Sequence, residues 1–487
     1  MDINNRLYRA EQVGELDRRA IEDHGIDGFE LMQRAGAAVF RAIRARYPEA
    51  RSLVVCCGGG NNGGDGYVVA SLARHAGFQA RVIAMKNPRE LGGDARRAAD
   101  VWLDGGGPVS EPDGQIEADV IVDALLGTGL DREVRDDYAA LIESIDASDA
   151  AVVAVDVPSG LHADTGMPLG AAVRAEVTVS FIGRKRGLET GQAPDFTGRV
   201  LFDDLDVPDT VYRDLEPDAV RLSEDAVERV LPARARSIHK GALGRVLICG
   251  GDFGMPGAVV LAARAALLTG SGLVSVATRR EHSLALAGSL PEAMWADGEN
   301  GDSLDALVAR ADVVAVGTGL GTSDWSREAW RRLLGCEQPV VLDADGLNLL
   351  AEHAFDRTNW ILTPHPGEAA RLLGLTTADV QRDRFEAVRA IAARFNAVVV
   401  LKGAGSLVAD PAGRVALCPF GNPAMATAGM GDALTGIIAS LVGQGVDLFD
   451  AASSGVVLHA RAGDAAAEHR RAILAGELID ALPRVLP

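Results

Sequence analysis

The sequence predicts an α/β protein built as two three-layer αβα domains, an expectation carried by three observations. Short apolar, β-branched runs recur along the chain, each followed by a glycine-rich turn and a stretch of helical periodicity. The runs are continuously apolar rather than alternating, as strands covered on both faces must be. The 487 residues allow roughly two to four domains of about 150 residues each and exclude a lone small module.

In the first half the runs are SLVVCC (52–57), ARVIAM (80–85), DVIVDAL (119–125), AVVAVD (151–156) and EVTVSFI (176–182). In the second they are GRVLICG, GLVSVAT, DVVAVG, PVVLDAD, WILTP and AVVVLKG, from residue 244 to residue 403. Their spacing leaves room for crossover helices, so both sheets are expected to be mostly parallel. Between Asp203 and Glu224 the pattern weakens into an acidic stretch with two prolines, which reads as the linker. The expected domains are 1–218 and 223–487. The halves carry different loop motifs and no short-period repeat, so they look fused rather than duplicated.

Composition narrows the function. With 48 basic and 68 acidic residues the net charge is −20, which argues against a nucleic-acid or anionic-membrane surface and requires any anion to be held locally. The 56 glycines exceed the usual share of about 7% and point to tight turns. Cys56, Cys57, Cys249, Cys336 and Cys418 form no C-x-x-C and are odd in number, which fits a reducing compartment and buried thiols. The N-terminus has no signal-peptide pattern, and the most apolar later stretch, 258–278, is broken by Arg264 and several glycines. A soluble cytoplasmic protein with no membrane and no nucleic-acid partner is expected.

After the first run comes Gly58-Gly59-Gly60-Asn61-Asn62-Gly63-Gly64-Asp65-Gly66. Gly58, Gly60 and Gly63 spell G-x-G-x-x-G between strand and helix, where backbone N–H groups can cradle a phosphate. The acid that holds a ribose in an ordinary dinucleotide site is missing, because the next run ends Ala84-Met85-Lys86-Asn87. The loop offers Asn61, Asn62 and Asp65 instead, suited to a polar ligand or a hard cation, or to turn formation alone. Asp123 stands near the end of one further run and Asp156 ends another, with Ser159 close behind; in a parallel sheet these ends share one edge. Either Asp alone could equally be a helix N-cap. The run Arg184-Lys185-Arg186 reads as a phosphate contact or a solvated basic turn.

Together with Met32-Gln33-Arg34-Ala35-Gly36, these motifs (NNGGDG, DALLGTG, VDVPSG) resemble the N-terminal, Rossmann-like domain of the bifunctional NAD(P)H-hydrate repair enzymes. The resemblance covers roughly residues 1–215. It implies an epimerase that interconverts R and S forms of hydrated NADH or NADPH and binds a potassium ion through Asn62, Asp123 and Ser159. It further implies hydrate contacts from Asn61, Asn62, Gly63, Gly64 and Asp65, from Gly127, Thr128, Gly129, Leu130, Asp131, Arg132 and Glu133, and from Asp156. Asp156 is the candidate acid/base, since epimerisation needs a carboxylate within hydrogen-bond reach.

Near the C-terminus stands Ala428-Gly429-Met430-Gly431-Asp432, opening a helical pattern. Glycine-flanked N–H groups make an anion nest, and an Asp beside them can take a proton from an attacking hydroxyl, or can merely cap the helix. No GxxxxGK[ST] occurs, which excludes an ordinary P-loop. Lys402-Gly403-Ala404-Gly405-Ser406 follows a buried-type run and supplies a cation and a hydroxyl on a flexible turn. His365, between two prolines, could orient a substrate or cap a turn; Asp343 and Asp345 could hold a metal-nucleotide complex or cap a helix.

This half resembles the ribokinase-like, ADP-dependent NAD(P)H-hydrate dehydratase domain over roughly residues 225–487. The resemblance implies that the S hydrate is dehydrated at the expense of ADP, giving NAD(P)H, AMP and phosphate, with magnesium accompanying the nucleotide. Ala258, Gly319, Gly321, His365 and Asp432 would contact the hydrate; Lys402, Gly403, Ala404, Gly405, Ser406 and Gly431 would hold the adenine nucleotide; Asp432 would be the base. Met430 departs from the family's small hydroxyl residue and Ser406 from its common Thr. The alternative reading is a small-alcohol or vitamin kinase fused to a nucleotide-binding module. Domains of this kind often form homo-oligomers, and no interface patch stands out in the sequence.

Overall fold

A computed structural model describes residues 2–112, 116–231, 234–353, 355 and 357–487. The chain divides into two units, Met1–Val220 and Arg221–Pro487. In unit 1 the main strands are β1 (Ser52–Cys57), β2 (Gln79–Ala84), β3 (Val109–Ser110), β4 (Val120–Ala124), β5 (Ala151–Val155), β6 (Val177–Phe181) and β7 (Arg199–Asp203). They form a sheet in the order β3-β2-β1-β4-β5-β6-β7, and every pair is parallel. The apolar runs are continuous because the sheet is covered twice. Along β1, Leu53, Val55 and Cys57 enter one core while Val54 and Cys56 enter another, since successive side chains alternate faces.

Unit 2 has β8 (Arg245–Cys249), β9 (Leu273–Thr278), β10 (Met294–Asp297), β11 (Val313–Val316), β12 (Val340–Leu342), β13 (Trp360–Leu362), β14 (Val398–Leu401), β15 (Ser406–Ala409) and β16 (Val415–Cys418). Their order is β10-β9-β8-β11-β12-β13-β14-β15-β16, parallel as far as β14 and antiparallel at the last two pairings. The helices Pro256–Thr269, Met430–Gly443 and Leu448–Ala466 supply much of one core face.

The expected linker does not behave as one throughout. Leu205, Val207, Val211 and Tyr212 are buried in the core of unit 1, and the Tyr212 hydroxyl donates to the Ile182 carbonyl at 2.7 Å. Acidic residues between these anchors face outward and hid the apolar spacing. Among the described residues no helix is long and apolar enough to cross a membrane.

Candidate active sites

In unit 1 the strand order reverses between β1 and β4, where doubly wound sheets bind ligands at the strands' C-terminal ends. The segment after β1 is a turn only as far as Gly60, which caps the helix Asn61–His75. The expected loop is therefore corrected: Asn61, Asn62, Gly63, Gly64 and Asp65 form the first turns of a helix. Close packing is the reason. A Cβ on Gly63 would stand 2.2 Å from the Gly58 carbonyl oxygen, and one on Gly66 would stand 2.7 Å from the Ala124 Cβ. Only glycine lets the helix start directly off its strand and lie this close to the sheet.

Three strand ends gather oxygen atoms here. Asp123 is fully buried; its carboxylate accepts from the Ser159 N–H at 2.7 Å, the Ser159 hydroxyl at 2.5 Å and the Leu125 N–H at 3.3 Å. The Ser159 hydroxyl accepts the Leu126 N–H at 2.8 Å, and Asn62 Nδ2 donates to the Leu126 carbonyl at 3.1 Å. Burial pushes the Asp123 carboxyl up to about 6, against the pull of those hydrogen bonds. The resulting set, one carboxylate with hydroxyl, amide and carbonyl oxygens, has the hard-donor chemistry and single charge that suit a monovalent cation. Among the described residues no group of three or more His, Cys, Asp or Glu is placed to hold a metal ion.

Asp156 follows β5 with φ at 65°, in the left-handed region that Asp enters more readily than most residues. This turn brings its carboxylate onto the ammonium of Lys185, an ion pair in which Lys185 is only 2% exposed. The Phe181 N–H donates to Asp156 at 3.2 Å, and Lys185 donates to the Phe181 carbonyl at 3.0 Å. The basic run is thus neither a solvated turn nor a free phosphate contact: Arg186 is buried and paired with Asp218 at 2.7 Å, and Arg184 lies 3.8 Å from Glu189. Two more carboxyls feel the Asp156–Lys185 pair. Asp65 is pushed well above the ordinary carboxyl range by burial and by the charges of Asp156 and Asp17. Asp17, on the helix Ala10–Arg18, is pushed up to about 6, mainly by burial. A carboxylate tied to an ammonium beside a carboxyl that favours its proton is a base and an acid in one place.

The loop after β4 divides. A Cβ on Gly127 would stand 3.3 Å from that of Asn62, Thr128 is partly buried, and Leu130 packs on the core beneath. Gly129, Asp131, Arg132 and Glu133 are exposed, with Glu133 paired to Arg135.

In unit 2 the ends of β12, β13 and β14 carry Asp343, Thr363 and Lys402 to the N-terminus of the helix Met430–Gly443. Gly429, with φ at 89°, is its N-cap. Asp432 is therefore in the first turn and is not the cap. Burial, with the charges of Asp343 and Asp345, pushes its carboxyl up to about 7. Below it Lys402 is paired with Asp343 at 2.7 Å and lies 3.8 Å from Glu368. Asp343 also accepts from Thr363 at 2.8 Å and from Thr435 at 2.9 Å, and its carboxyl stays low because Lys402 outweighs its burial. A Cβ on Gly431 would stand 3.3 Å from the Lys402 ammonium and 3.4 Å from the Asp343 carboxylate, so the helix N-terminus sits directly on this pair.

Ala258, Gly319 and Gly321 come together from two strand ends: a Cβ on Gly319 would stand 3.0 Å from the Ala258 Cβ, and the Gly321 N–H donates to Asp345 at 2.8 Å. His365 Nδ1 accepts the Gly367 N–H at 2.9 Å and so caps the helix Pro366–Leu373, while its side chain remains half-exposed on the same edge. The turn of Gly403, Ala404 and Gly405 runs from Lys402 to Ser406, whose hydroxyl donates to the Gly403 carbonyl at 2.9 Å. Buried Arg384 donates to the Leu401 and Lys402 carbonyls, both at 3.3 Å, and underpins that turn. The Met430 side chain is buried in the core of unit 2, and its carbonyl accepts from His459 at 3.0 Å. The departure at 430 therefore falls on a side chain that the core takes up.

Sequence reasoning missed Asp17, the inward role of Lys185, and Arg384. Asp17 did carry a signal, since the apolar Val13 and Leu16 on its helix, and Ala20 just past the helix end, are spaced to share a buried face with it.

These features define an enzyme with two α/β sites, one an acid–base cluster beside an oxygen cage, the other a phosphoryl-transfer cleft. Residues 246–484 match the family model described as NAD(P)H-hydrate dehydratase, and residues 28–187 the one described as YjeF-related protein N-terminus. The bifunctional NAD(P)H-hydrate repair enzyme Nnr of Coxiella burnetii is 47% identical over 99% of both chains; that of Escherichia coli is 41% identical over 100% of this chain and 95% of its own. A ribokinase-like superfamily structure from Enterococcus faecalis, 29% identical, superposes with a TM-score of 0.52 over 55% of this chain and 94% of its own. The chain belongs to the bifunctional NAD(P)H-hydrate repair enzymes, whose two domains are an epimerase and an ADP-dependent dehydratase rather than a generic kinase with a binding module.

Proposed function

We propose that unit 1 interconverts the R and S hydrates of NADH and NADPH and that unit 2 dehydrates the S form with ADP, giving back NAD(P)H with AMP and phosphate. The observation that supports this best is the pairing of Asp156–Lys185 and Asp65 beside the Asn62–Asp123–Ser159 cage. Moving a hydroxyl from one face of a ring carbon to the other needs a proton for the leaving oxygen and a base for the entering one. Asp65 would supply the first and Asp156 the second, with Lys185 holding the Asp156 carboxylate in place. Asn62, Asp123 and Ser159 would hold potassium, which when bound supplies positive charge beside the hydrate's phosphates.

In unit 2 Asp432 would take the proton of the hydrate's hydroxyl as that oxygen attacks the β-phosphoryl group of ADP and AMP leaves. The N–H groups of the 429–431 turn would receive the developing charge. The phosphate ester then departs in an elimination that restores the dihydropyridine ring, a far better leaving group than hydroxide. Asp343 and Asp345 would stand nearest a nucleotide-bound magnesium ion, which when present screens the phosphate oxygens. The turn from Lys402 to Ser406 would seat the nucleotide, with Ala258, Gly319, Gly321 and His365 around the hydrate.

Mixed R and S NADPH hydrate, incubated with the protein, ADP, magnesium and potassium, should return all its NADPH absorbance. Recovery that stops at the S fraction sinks the epimerase assignment, and no ADP-dependent recovery sinks the dehydratase.

A further inference from the structure

A cavity of about 820 Å³ opens at the ends of β2 and β3, walled on its other side by the helix Asp136–Asp146. Nothing in the chemistry above uses it. We infer that it receives the adenosine half of the hydrated dinucleotide, an assignment that rests on unit 1 being the epimerase and extends its site to a second nucleoside.

Three features place that half here. The acid cluster stands at the ends of β5 and β6, and the cavity begins at β2, three strand spacings along the edge from β5. At about 4.8 Å each this is roughly 14 Å, a span that a mononucleotide does not bridge. Between them lies the glycine turn after β1, where a pyrophosphate rests in sheets of this order. The cavity is also continuous with that turn. A Cβ on Gly59 would stand 2.6 Å from the Lys86 side chain, which lines the cavity, and the Gly59 backbone partly offsets the burial that pushes up the Tyr138 hydroxyl, on the helix that walls it. Lys86 therefore stands where turn and cavity meet, a cation for a phosphate passing from one to the other.

The lining suits a nucleoside. Met85, Pro88 and Leu141 offer apolar surface for a base. Ser110, also in the lining, has a buried hydroxyl without a hydrogen-bond partner among the described residues, a group that a ribose or base atom would satisfy. The volume falls in the range of sites for ligands of this size.

Ala140 is exposed on the helical wall, so Ala140→Trp narrows the cavity without touching a core. Epimerisation is followed by chromatography of a separated S hydrate without ADP, which leaves unit 2 idle. With the full-length variant, KM for the dinucleotide hydrate should rise tenfold or more, while KM for the hydrate of the reduced nicotinamide mononucleotide moves less than twofold. Equal shifts, or none, overturn the assignment. So does a variant that loses inhibition by free AMP with an unaltered dinucleotide KM, the mark of a separate regulatory site. Should Ala140→Trp fail to fold, Ser144→Trp on the same wall takes its place. Independently, ADP-ribose should compete with the dinucleotide hydrate in the unaltered protein where ribose 5-phosphate does not; equal inhibition by both overturns the assignment. A wild-type protein that leaves the epimers unchanged sinks the epimerase reading itself.

Discussion

Asp432 and Asp123 are both acids displaced upward by burial, yet their displacement acts on different observables. Asp432 must be ionised to accept a proton, and its carboxyl lies near about 7; the dehydration rate should therefore climb as pH rises through that value and level off above it. Replacing Asp432 by Asn should lower kcat by roughly 10²- to 10⁴-fold, the usual worth of a positioned general base, and abolish the climb. A pH–rate profile of both proteins checks this. Asp123 must be ionised to hold a cation, and its carboxyl lies near about 6. Protonation then competes with potassium, so the half-saturating potassium concentration for epimerisation should increase as pH falls below 6 and be flat above 7. A potassium requirement equal at pH 5 and pH 8 contradicts the cage. Much of this was legible in the sequence, because Asp123, Asp156, Ser159 and Asp432 stand directly after apolar runs or open a helical one. Lys185 was misread because three consecutive basic residues look solvated. Only the fold shows that Arg186 meets Asp218 and Lys185 meets Asp156.

At the scale of elements, burial on both faces separates what could be read from what could not. Strands β1 and β5 were evident as unbroken apolar runs. β7 and β10 were not, because they are edge strands only partly covered and their sequences, RVLFD and MWAD, mix polar with apolar residues. The start of the helix at Asn61 escaped notice for another reason. Asn and Gly are poor helix formers, and here packing of glycine against the sheet overrides propensity. That dependence can be tested. Gly63→Ala places a methyl group against the Gly58 carbonyl oxygen and should displace the first helical turn, costing epimerisation at least tenfold while ADP-dependent dehydration of pure S hydrate stays within twofold. Parallel assays of the two reactions on one preparation check it, and equal losses in both would place the damage outside unit 1.

Over the whole molecule, the five cysteines are unpaired, and Cys56, Cys57, Cys249 and Cys418 are buried, with thiols that burial pushes up. Only Cys336 is partly exposed. Iodoacetamide should therefore label one site per native chain and five after denaturation, as read by mass spectrometry; labelling of a second native site contradicts the burial. The charge of −20 and the handling of polyanions are reconciled by placement, since Lys402 and Lys185 are both already paired with carboxylates. In the proposed reactions the grip on phosphate falls to Lys86 in unit 1 and to the main chain of the 429–431 turn in unit 2, where the Met430 side chain turns away into the core. Such a site is nearly invisible to a genetic scan. Trimming side chains to alanine would expose Lys402 and Asp432 and pass over the amide donors, and at position 430 it would report on the core alone.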